Sequence, residues 1–268
     1  MSRLAGVLLV LFVSTTVFAG GAGFLAPKPY TSVADSYFDI GAADVCIEDF
    51  EDDSLNVPAA SGNGTIVSGQ GNIDSVDADD GVIDGSGTGG HSYFSGNGAA
   101  GITITFDPFY GNGYPSQVGI VWTDGGPNSA ITFSALDGNG ISLGSISPLT
   151  SHADASNAGT TAEDRLYALT SLTGISSITI TNSTGGIEVD HLQYNNCFIC
   201  GEVTGDQKVL AGDALATLKA AVGSMWCVLC MCDVNESGDV TATDSLIVLK
   251  HAVGQDVDLN CPTCLEVK

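Results

Sequence analysis

Residues 130–146 read AITFSALDGNGISLGSI, and this stretch decides the fold of the larger part of the chain. Two runs of alternating apolar and small polar residues flank Asp137-Gly138-Asn139-Gly140. Alternation with a period of two is typical of a β-strand with one buried face. Asp-Gly and Asn-Gly pairs favour a tight turn between antiparallel strands. The stretch therefore predicts a β-hairpin.

Similar patterns on both sides extend this hairpin into an all-β domain over residues 45–196. Abundant Gly and Thr, with almost no helical periodicity, favour an antiparallel β-sandwich. Long surface loops are expected within residues 61–100, which are rich in Gly, Asp and Ser. Further strands are predicted at 65–67, 92–94, 101–106, 117–122, 176–181 and 187–194, with a turn at 182–186.

The same segment resembles the jelly-roll domains of exported bacterial proteins with a galactose-binding-like fold. The resemblance rests on Ile47–Asp52 (IEDFED), 131–140 (ITFSALDGNG) and 186–194 (GIEVDHLQY). It implies a sandwich and, more faintly, a sugar ligand. It also implies a calcium site between the first and last strands, to which Glu48, Asp49 or Asp190 would contribute.

The N-terminus has the features of an export signal. Arg3 is followed by an apolar run over 4–13, and Val17-Phe18-Ala19 offers small residues for cleavage. We predict a signal peptide over 1–19 and a linker or poorly ordered arm over 20–44. No second apolar stretch of spanning length follows, so the mature chain is expected to be secreted or at the cell surface, without a membrane span.

The charge of the chain is strongly negative. It has 31 acidic and 7 basic residues, a net charge of −24. Nucleic acids and anionic membranes bind through Lys and Arg, so neither is expected as a partner. The balance is compatible with calcium binding or with a well-solvated surface outside the cell.

The eight cysteines predict disulfides, because an exported chain with an even number of cysteines usually pairs them. Three C-x-x-C spacings keep zinc as the alternative. Because Cys46 begins the first strand and Cys197 follows the last, we predict that these two pair. The remaining six belong to residues 197–268: Cys200, Cys227, Cys230, Cys232, Cys261 and Cys264.

A twelve-residue loop occurs twice in this C-terminal segment, at 202–213 and again at 233–244. Oxygen side chains alternate along it and a carboxylate closes it, which is the pattern that calcium requires. In the second copy the ligands would come from Asp233, Asn235, Ser237, Asp239 (through its carbonyl), Thr241 and Asp244. Gly238 occupies the sharp turn.

The first copy fits the pattern less well. Its ligands would come from Glu202, Thr204, Asp206, Lys208 (through its carbonyl) and Asp213. Gln207 replaces the turn glycine, and Leu210 offers no side-chain oxygen at the ninth place. We predict one or two calcium ions, with the second loop the stronger site.

A helix is predicted after each loop. Leu215, Leu218 and Val222 recur at helical spacing, as do Leu246, Leu249 and Val253. Gly223 and Gly254 would end the helices. Because each helix is marginal alone, we expect the two helices to pack on each other, with the metal loops and disulfides holding their starts.

The duplicated unit, a loop with one exiting helix and a closing Asp, resembles the dockerin module. Dockerins bind cohesin domains, so the resemblance implies a calcium-dependent, cohesin-like protein partner. The residues that would contact it are Ala211, Gly212, Ala242, Thr243, Lys219, Lys250 and His251. The degenerate first loop and the six cysteines depart from the usual pattern.

Other candidate sites are weaker. Tyr93, Phe109, Tyr110, Tyr114 and Trp122 could form a sugar-stacking platform, although core packing accounts for most of them. Asp74, Asp77, Asp79, Asp80 and Asp84 form an acidic loop without calcium-loop spacing. Glu48, Glu163 and Glu188 are the candidates for glycoside hydrolysis, which the sequence does not otherwise favour.

The sequence thus leaves three functions open. A non-catalytic, calcium-dependent docking protein is the main interpretation. A carbohydrate-binding sandwich is the alternative, and a component of a polysaccharide-degrading system is the third.

Overall fold

The computed structural model describes residues 22–40, 42, 44–57, 59–68, 73, 75–76, 90–108, 113–148, 163–204 and 208–262. The predicted signal peptide lies outside these residues, as do the five aspartates of the predicted acidic loop.

Within the described residues the strands form two antiparallel sheets, as predicted for a β-sandwich. The larger sheet has the order β1-β11-β8-β13-β6-β5, with β2 beside β11 and β3 beside β13. The smaller sheet has the order β10-β9-β12-β7-β4. The strands are β1 (Gly23–Phe24), β2 (Lys28–Pro29), β3 (Val45–Glu48), β4 (Ala60–Gly62), β5 (Thr65–Ser68), β6 (His91–Ser95), β7 (Ile102–Phe106), β8 (Gln117–Gly125), β9 (Ile131–Leu136), β10 (Ser142–Ile146), β11 (Arg165–Thr170), β12 (Ser177–Asn182) and β13 (Ile187–Asn195).

The core lies between the two sheets, because alternate residues of their strands face each other there. The smaller sheet contributes Ile102, Ile104, Phe106, Ile131, Phe133, Ile178 and Ile180. The larger sheet contributes Val118, Ile120, Trp122, Tyr167, Leu169, Val189, Leu192 and Tyr194.

The predicted hairpin is present as β9 and β10. Asp137 fixes its turn, because Asp137 Oδ1 accepts the backbone N–H groups of Asn139 (2.8 Å) and Ile141 (2.9 Å). Gly140 adopts φ 74°, a conformation that glycine reaches without strain. The turn predicted at 182–186 connects the two sheets, since it joins β12 of the smaller sheet to β13 of the larger one.

Residues 22–40, predicted to be a linker or poorly ordered arm, instead pack on the larger sheet. β1 and β2 both pair with β11. Tyr30 is completely buried and lies with Leu25 and Phe38 against Val121 and Leu166, on the outer face of the sheet. The sandwich therefore begins before residue 45, and its larger sheet is covered on both faces.

This covering explains why the sequence did not reveal β11. Leu166, Tyr167, Ala168 and Leu169 are all buried, because the core covers one face of the strand and the arm covers the other. A strand buried on both faces has no apolar and polar alternation.

Disulfides join the described cysteines, and none of these is free. Cys46 pairs with Cys197, as predicted. Cys200 pairs with Cys261 and Cys227 with Cys232, so neither bridge joins the two cysteines of one C-x-x-C spacing. Cys230 is also disulfide-bonded, and Cys264 lies outside the described residues.

The C-terminal segment contains α1 (Ala211–Ala221), α2 (Leu229–Cys232) and α3 (Ala242–Ala252). The two longer helices follow the duplicated loops, and Gly223 and Gly254 end them with φ of 72° and 75°. The amides of Gly223 and Ser224 donate to the last-turn carbonyls of α1, as expected of a glycine-terminated helix.

Candidate functional site

α1 and α3 pack on each other, and their large apolar residues face away from the module's interior. Small residues lie inside instead, since Ala214, Ala216 and Thr217 of α1 are buried, as are Ser245 and Val248 of α3. The six apolar residues that recur at helical spacing are exposed by the following fractions: Leu215 54%, Leu218 39%, Val222 71%, Leu246 51%, Leu249 41% and Val253 62%.

Small inward residues allow the two helices to approach closely. Ser245 Oγ donates a 2.7 Å hydrogen bond to the carbonyl oxygen of Ala214 across the helix pair. Val248 packs with Ala214 and Val234, and the Cys200–Cys261 disulfide borders this cluster. The large apolar positions are consequently left on the outside, as two exposed stripes.

The residues predicted to contact a partner lie at the two ends of these stripes. Ala211, Gly212, Ala242 and Thr243 are exposed at the helix starts. In the last turns Lys219 and His251 are exposed and Lys250 is partly exposed. The stripes themselves were missed because an i, i+3, i+7 apolar pattern does not indicate whether it faces a core or solvent.

The loop at 233–244 is organised by two buried carboxylates. Asp233 Oδ1 accepts the backbone N–H of Ser237 (2.9 Å), and Asp233 Oδ2 accepts that of Gly238 (2.7 Å). Gly238 has φ 91°, which suits the sharp turn. Asn235, Ser237 and Asp239 are exposed around them.

Asp244 closes this loop. Its Oδ2 accepts hydrogen bonds from both the backbone N–H and the hydroxyl of Thr241, each at 2.8 Å. Its Oδ1 is buried and has no hydrogen-bond partner. A buried, unpartnered carboxylate oxygen beside hard oxygen donors fits a calcium ligand.

The loop at 202–213 is closed differently. Asp213 Oδ1 accepts the backbone N–H groups of Val203 (2.8 Å) and Thr204 (2.9 Å), and Oδ2 accepts that of Leu210 (2.8 Å). Burial acts to raise the pKa of Asp213, but these hydrogen bonds outweigh it and the pKa is lowered. The carboxylate thus stabilises the loop through backbone amides.

The other predicted ligands of this loop do not form a set of oxygen donors like that of the second loop. Glu202 is buried, and its Oε1 accepts the backbone N–H of Thr204 at 2.8 Å. Lys208 is exposed, and Asp206 lies outside the described residues. The donor set fits calcium less well than that of the second loop.

The residues suggested for a calcium site between the first and last strands do not share one. Glu48 accepts the backbone N–H groups of Phe50 (3.0 Å) and Asn56 (2.9 Å) within its own strand and loop. Asp190 instead accepts from Ser75 and Val76. Asp49 is exposed. Across the part of the chain that the structure describes, no three His, Cys, Asp or Glu side chains are grouped to hold a metal ion.

The three glutamates considered for hydrolysis, Glu48, Glu163 and Glu188, are all buried. Burial raises the pKa of Glu48, against hydrogen bonds from backbone amides that lower it. Ser92 donates to Glu188. None of the three is exposed in a cleft where a polysaccharide would meet it.

The predicted aromatic platform is not formed by the residues that can be described. Trp122 (0% exposed) and Tyr93 (4%) belong to the core. Tyr114 is partly exposed, and Phe109 and Tyr110 lie outside the described residues.

No protein-family model matches the chain, and no curated protein matches it. The sandwich is similar to a family 6 carbohydrate-binding module at 16% identity, over 56% of this chain and 92% of that one, with a TM-score of 0.29. It is also similar to the C-terminal family 22 carbohydrate-binding module of Clostridium thermocellum Xyn10B at 13% identity, over 59% and 96%, with a TM-score of 0.29.

A third similar structure holds the N-terminal family 22 and catalytic modules of the same xylanase, crystallised with xylohexaose. The identity is 13%, with 65% of this chain and 31% of that chain covered and a TM-score of 0.32. The chain thus spans about a third of that protein. The identities and TM-scores of all three structures are too low to assign a ligand to this chain. No helix among the described residues is long and apolar enough to cross a membrane.

Proposed function

We propose that this protein is an exported, non-catalytic binding protein whose C-terminal module docks onto a partner protein through α1 and α3. The observation that carries the proposal is the pair of exposed apolar stripes on these helices. Apolar surface of this kind on a small module is typical of an interaction site. The disulfides support export, since they persist in oxidising compartments.

The partner that binds these stripes is a folded protein with an apolar patch bordered by acidic groups. The chain has only 7 Lys and Arg residues against 31 acidic ones, yet Lys219 and Lys250 both lie in the last turns beside the stripes. Opposite charges at the rim of an interface favour association and fix orientation. A cohesin-like domain is one partner that meets this description.

Calcium in the loop at 233–244 would hold α3 in place for docking. Asp233 and Asp244 would provide the carboxylates, with Asn235, Ser237 and Thr241 as neutral donors. The positive charge of the ion would offset the negative charge of the two carboxylates. Their shared coordination would hold the loop against α3. The first loop keeps its shape through Asp213 and needs no ion.

Site-specific photo-crosslinking tests the docking surface. A photoreactive residue is placed at Leu218 or Leu249 of the full chain, which is then exposed to purified candidate domains in calcium. The proposal expects crosslinks from both positions, lost on Leu246→Asp and weakened by Lys250→Glu. Leu172, 92% exposed on the sandwich, is the matched control.

Crosslinking from Leu172 that equals that from the stripes would overturn the docking proposal. So would crosslinks only to a second copy of the chain, with a dimer in light scattering. Crosslinks from the stripes that persist in a chelator would support docking and would show that it does not require calcium.

Glycan binding by the sandwich is the second candidate, and Tyr114 is the observation that favours it. Its ring is partly exposed and lies over Gly138, where any side chain would clash with it. A fixed, partly exposed ring beside a polar turn can stack on a sugar. A glycan array probed with the full chain and with Tyr114→Ala tests this, and equal signals from both would refute it.

A further inference from the structure

Three oxygen-bearing side chains meet on the outer face of the larger sheet, away from the C-terminal module. Asp164 precedes β11, Thr123 lies on β8 and Asp190 lies on β13, and all three are completely buried. β8 lies between the other two strands, and the strand registers bring the three residues to neighbouring positions. They share the face on which Val121 and Leu166 lie beneath the N-terminal arm.

Asp164 and Thr123 lack partners for their side-chain oxygens. Both carboxylate oxygens of Asp164 and the hydroxyl oxygen of Thr123 are buried without a hydrogen-bond partner. Arg165 donates to the backbone carbonyl of Asp164 (2.7 Å) and not to its carboxylate. Unpartnered buried oxygens are costly, so three of them side by side point to a ligand that satisfies them together.

Two carboxylates and one guanidinium act on Asp164. Burial raises the pKa of Asp164 well above its usual value, the carboxylates of Asp190 and Glu163 raise it further, and Arg165 opposes them without reversing the shift. A cation is the ligand that relieves both burial and repulsion, because it favours the ionised carboxylates.

Asp190 is held in a fixed orientation. Its Oδ2 accepts hydrogen bonds from Ser75 Oγ (2.9 Å) and the backbone N–H of Val76 (2.8 Å), and its Oδ1 accepts the backbone N–H of His191 (2.7 Å). These contacts place the Asp190 carboxylate on the same face of the sheet as Asp164.

We propose that Asp164, Asp190 and Thr123 form a calcium site in the β-sandwich, separate from the C-terminal loops. The three donors are hard oxygens, which favours calcium over zinc. Calcium also accepts irregular shells completed by water, whereas magnesium requires near-ideal octahedral geometry. Two carboxylates without a third give a weak site, of roughly 0.1–1 mM, as in extracellular modules.

The ion would connect the N-terminal arm to the sheet. The backbone N–H of Tyr30 donates to the carbonyl of Asp164 (3.2 Å), and Val76 of the covering cluster donates to Asp190. Binding between these two carboxylates would join β11 to β13 across β8 and hold the segments that cover them.

The site is tested in full-length Asp244→Asn, whose C-terminal loop lacks its closing carboxylate. Calcium is titrated by calorimetry, with terbium luminescence excited through Trp122 as a second readout. We expect this variant to bind one ion, and the addition of Asp164→Asn to weaken binding at least tenfold. Thr123→Val, which keeps the side-chain shape, should weaken it less.

Leu172→Asn on the exposed sandwich surface is the control for a nonspecific effect, and near-UV circular dichroism confirms folding. Calcium binding by Asp244→Asn that is unchanged by Asp164→Asn and by Thr123→Val would overturn the proposal. So would an Asp244→Asn chain that binds no ion, because Asp164 is then neutralised by a proton alone. If Asp244→Asn abolishes all calcium binding, the C-terminal loop is supported as a calcium site and the site in the sandwich is excluded. The two proposals can therefore fail separately.

Discussion

Ser245 and Ala214 are joined by a 2.7 Å hydrogen bond from hydroxyl to carbonyl oxygen, and they occupy equivalent places in the two repeats. Asp213 and Asp244 stand directly before them, each in the first turn of its helix. Contact between equivalent positions is what a local two-fold relation produces. The module is thus built around small residues at its centre, and its large apolar residues lie outside.

Ser245→Ala should lower the free energy of unfolding of the C-terminal module by about 1 kcal/mol, because it removes a buried hydrogen bond between the two helices. Hydrogen exchange of the α1 and α3 amides measures this locally. Ser224→Ala, which removes an exposed hydrogen bond at the end of α1, should change stability by less than about 0.5 kcal/mol. Equal effects of the two substitutions would argue against a close helix contact.

Asp213→Ala should destabilise the module by about 1–3 kcal/mol, because three backbone amides lose their acceptor. The loss should be the same in calcium and in a chelator, as measured by urea unfolding. Asp244→Asn should instead remove the stabilisation that calcium adds. A calcium-dependent effect of Asp213→Ala would show that the first loop also binds an ion.

Replacing both Cys46 and Cys197 with Ser should destabilise the sandwich by roughly 3–5 kcal/mol, because the disulfide closes a loop with a sequence separation of 151. Thermal unfolding of the full chain measures the change. Replacing Cys200 and Cys261 should act mainly on the module instead. A sandwich that unfolds at the same temperature without Cys46–Cys197 would contradict this role.

His91 should make stability depend on pH near neutrality. Its Nδ1 lies 3.0 Å from Glu51 Oε2 and its Nε2 lies 3.1 Å from Asp53 Oδ1. The hydrogen bond to Glu51 and the nearby carboxylates raise the pKa of His91 above 6.5, against burial, which lowers it. The stabilisation is complete below the unfolded pKa and is lost as the pH rises through the folded pKa.

This loss should amount to about 0.5–1 kcal/mol after solvent screening, since His91 and Glu51 are partly exposed and Asp53 is exposed. Urea unfolding at about pH 5.5 and pH 9 should show it in the wild type. His91→Gln and Glu51→Gln should each remove that difference, and an unchanged difference in both would exclude the pair as its source.

The sequence predicts those parts of the fold that have local signals. Asp137 and Gly140 predict their hairpin because the turn conformation depends on these residue types. Gly223 and Gly254 predict the helix ends for the same reason. The pairing of Cys46 with Cys197 follows because β3, the first strand that the sequence indicates, lies beside the last strand, β13.

Features that depend on long-range contacts could not be predicted. The stripes that contain Leu218 on α1 and Leu249 on α3 have the same periodicity as buried stripes. Only the packing of Ala214 against Ser245 shows that they face solvent. Asp164 lies near Asp190 because β11 and β13 both pair with β8, which comes much earlier in the chain. The arm at 22–40 looks unstructured in sequence because its partner, β11, lies far along the chain.

In the proposed function, calcium in the second loop fixes α3 as half of a docking surface. The most direct test is hydrogen exchange of the α3 amides in the full chain and in Asp244→Asn, each with and without calcium. Calcium is expected to slow exchange across α3 in the wild type and to have no such effect in Asp244→Asn. Equal exchange with and without calcium in the wild type would show that calcium does not hold α3 in place.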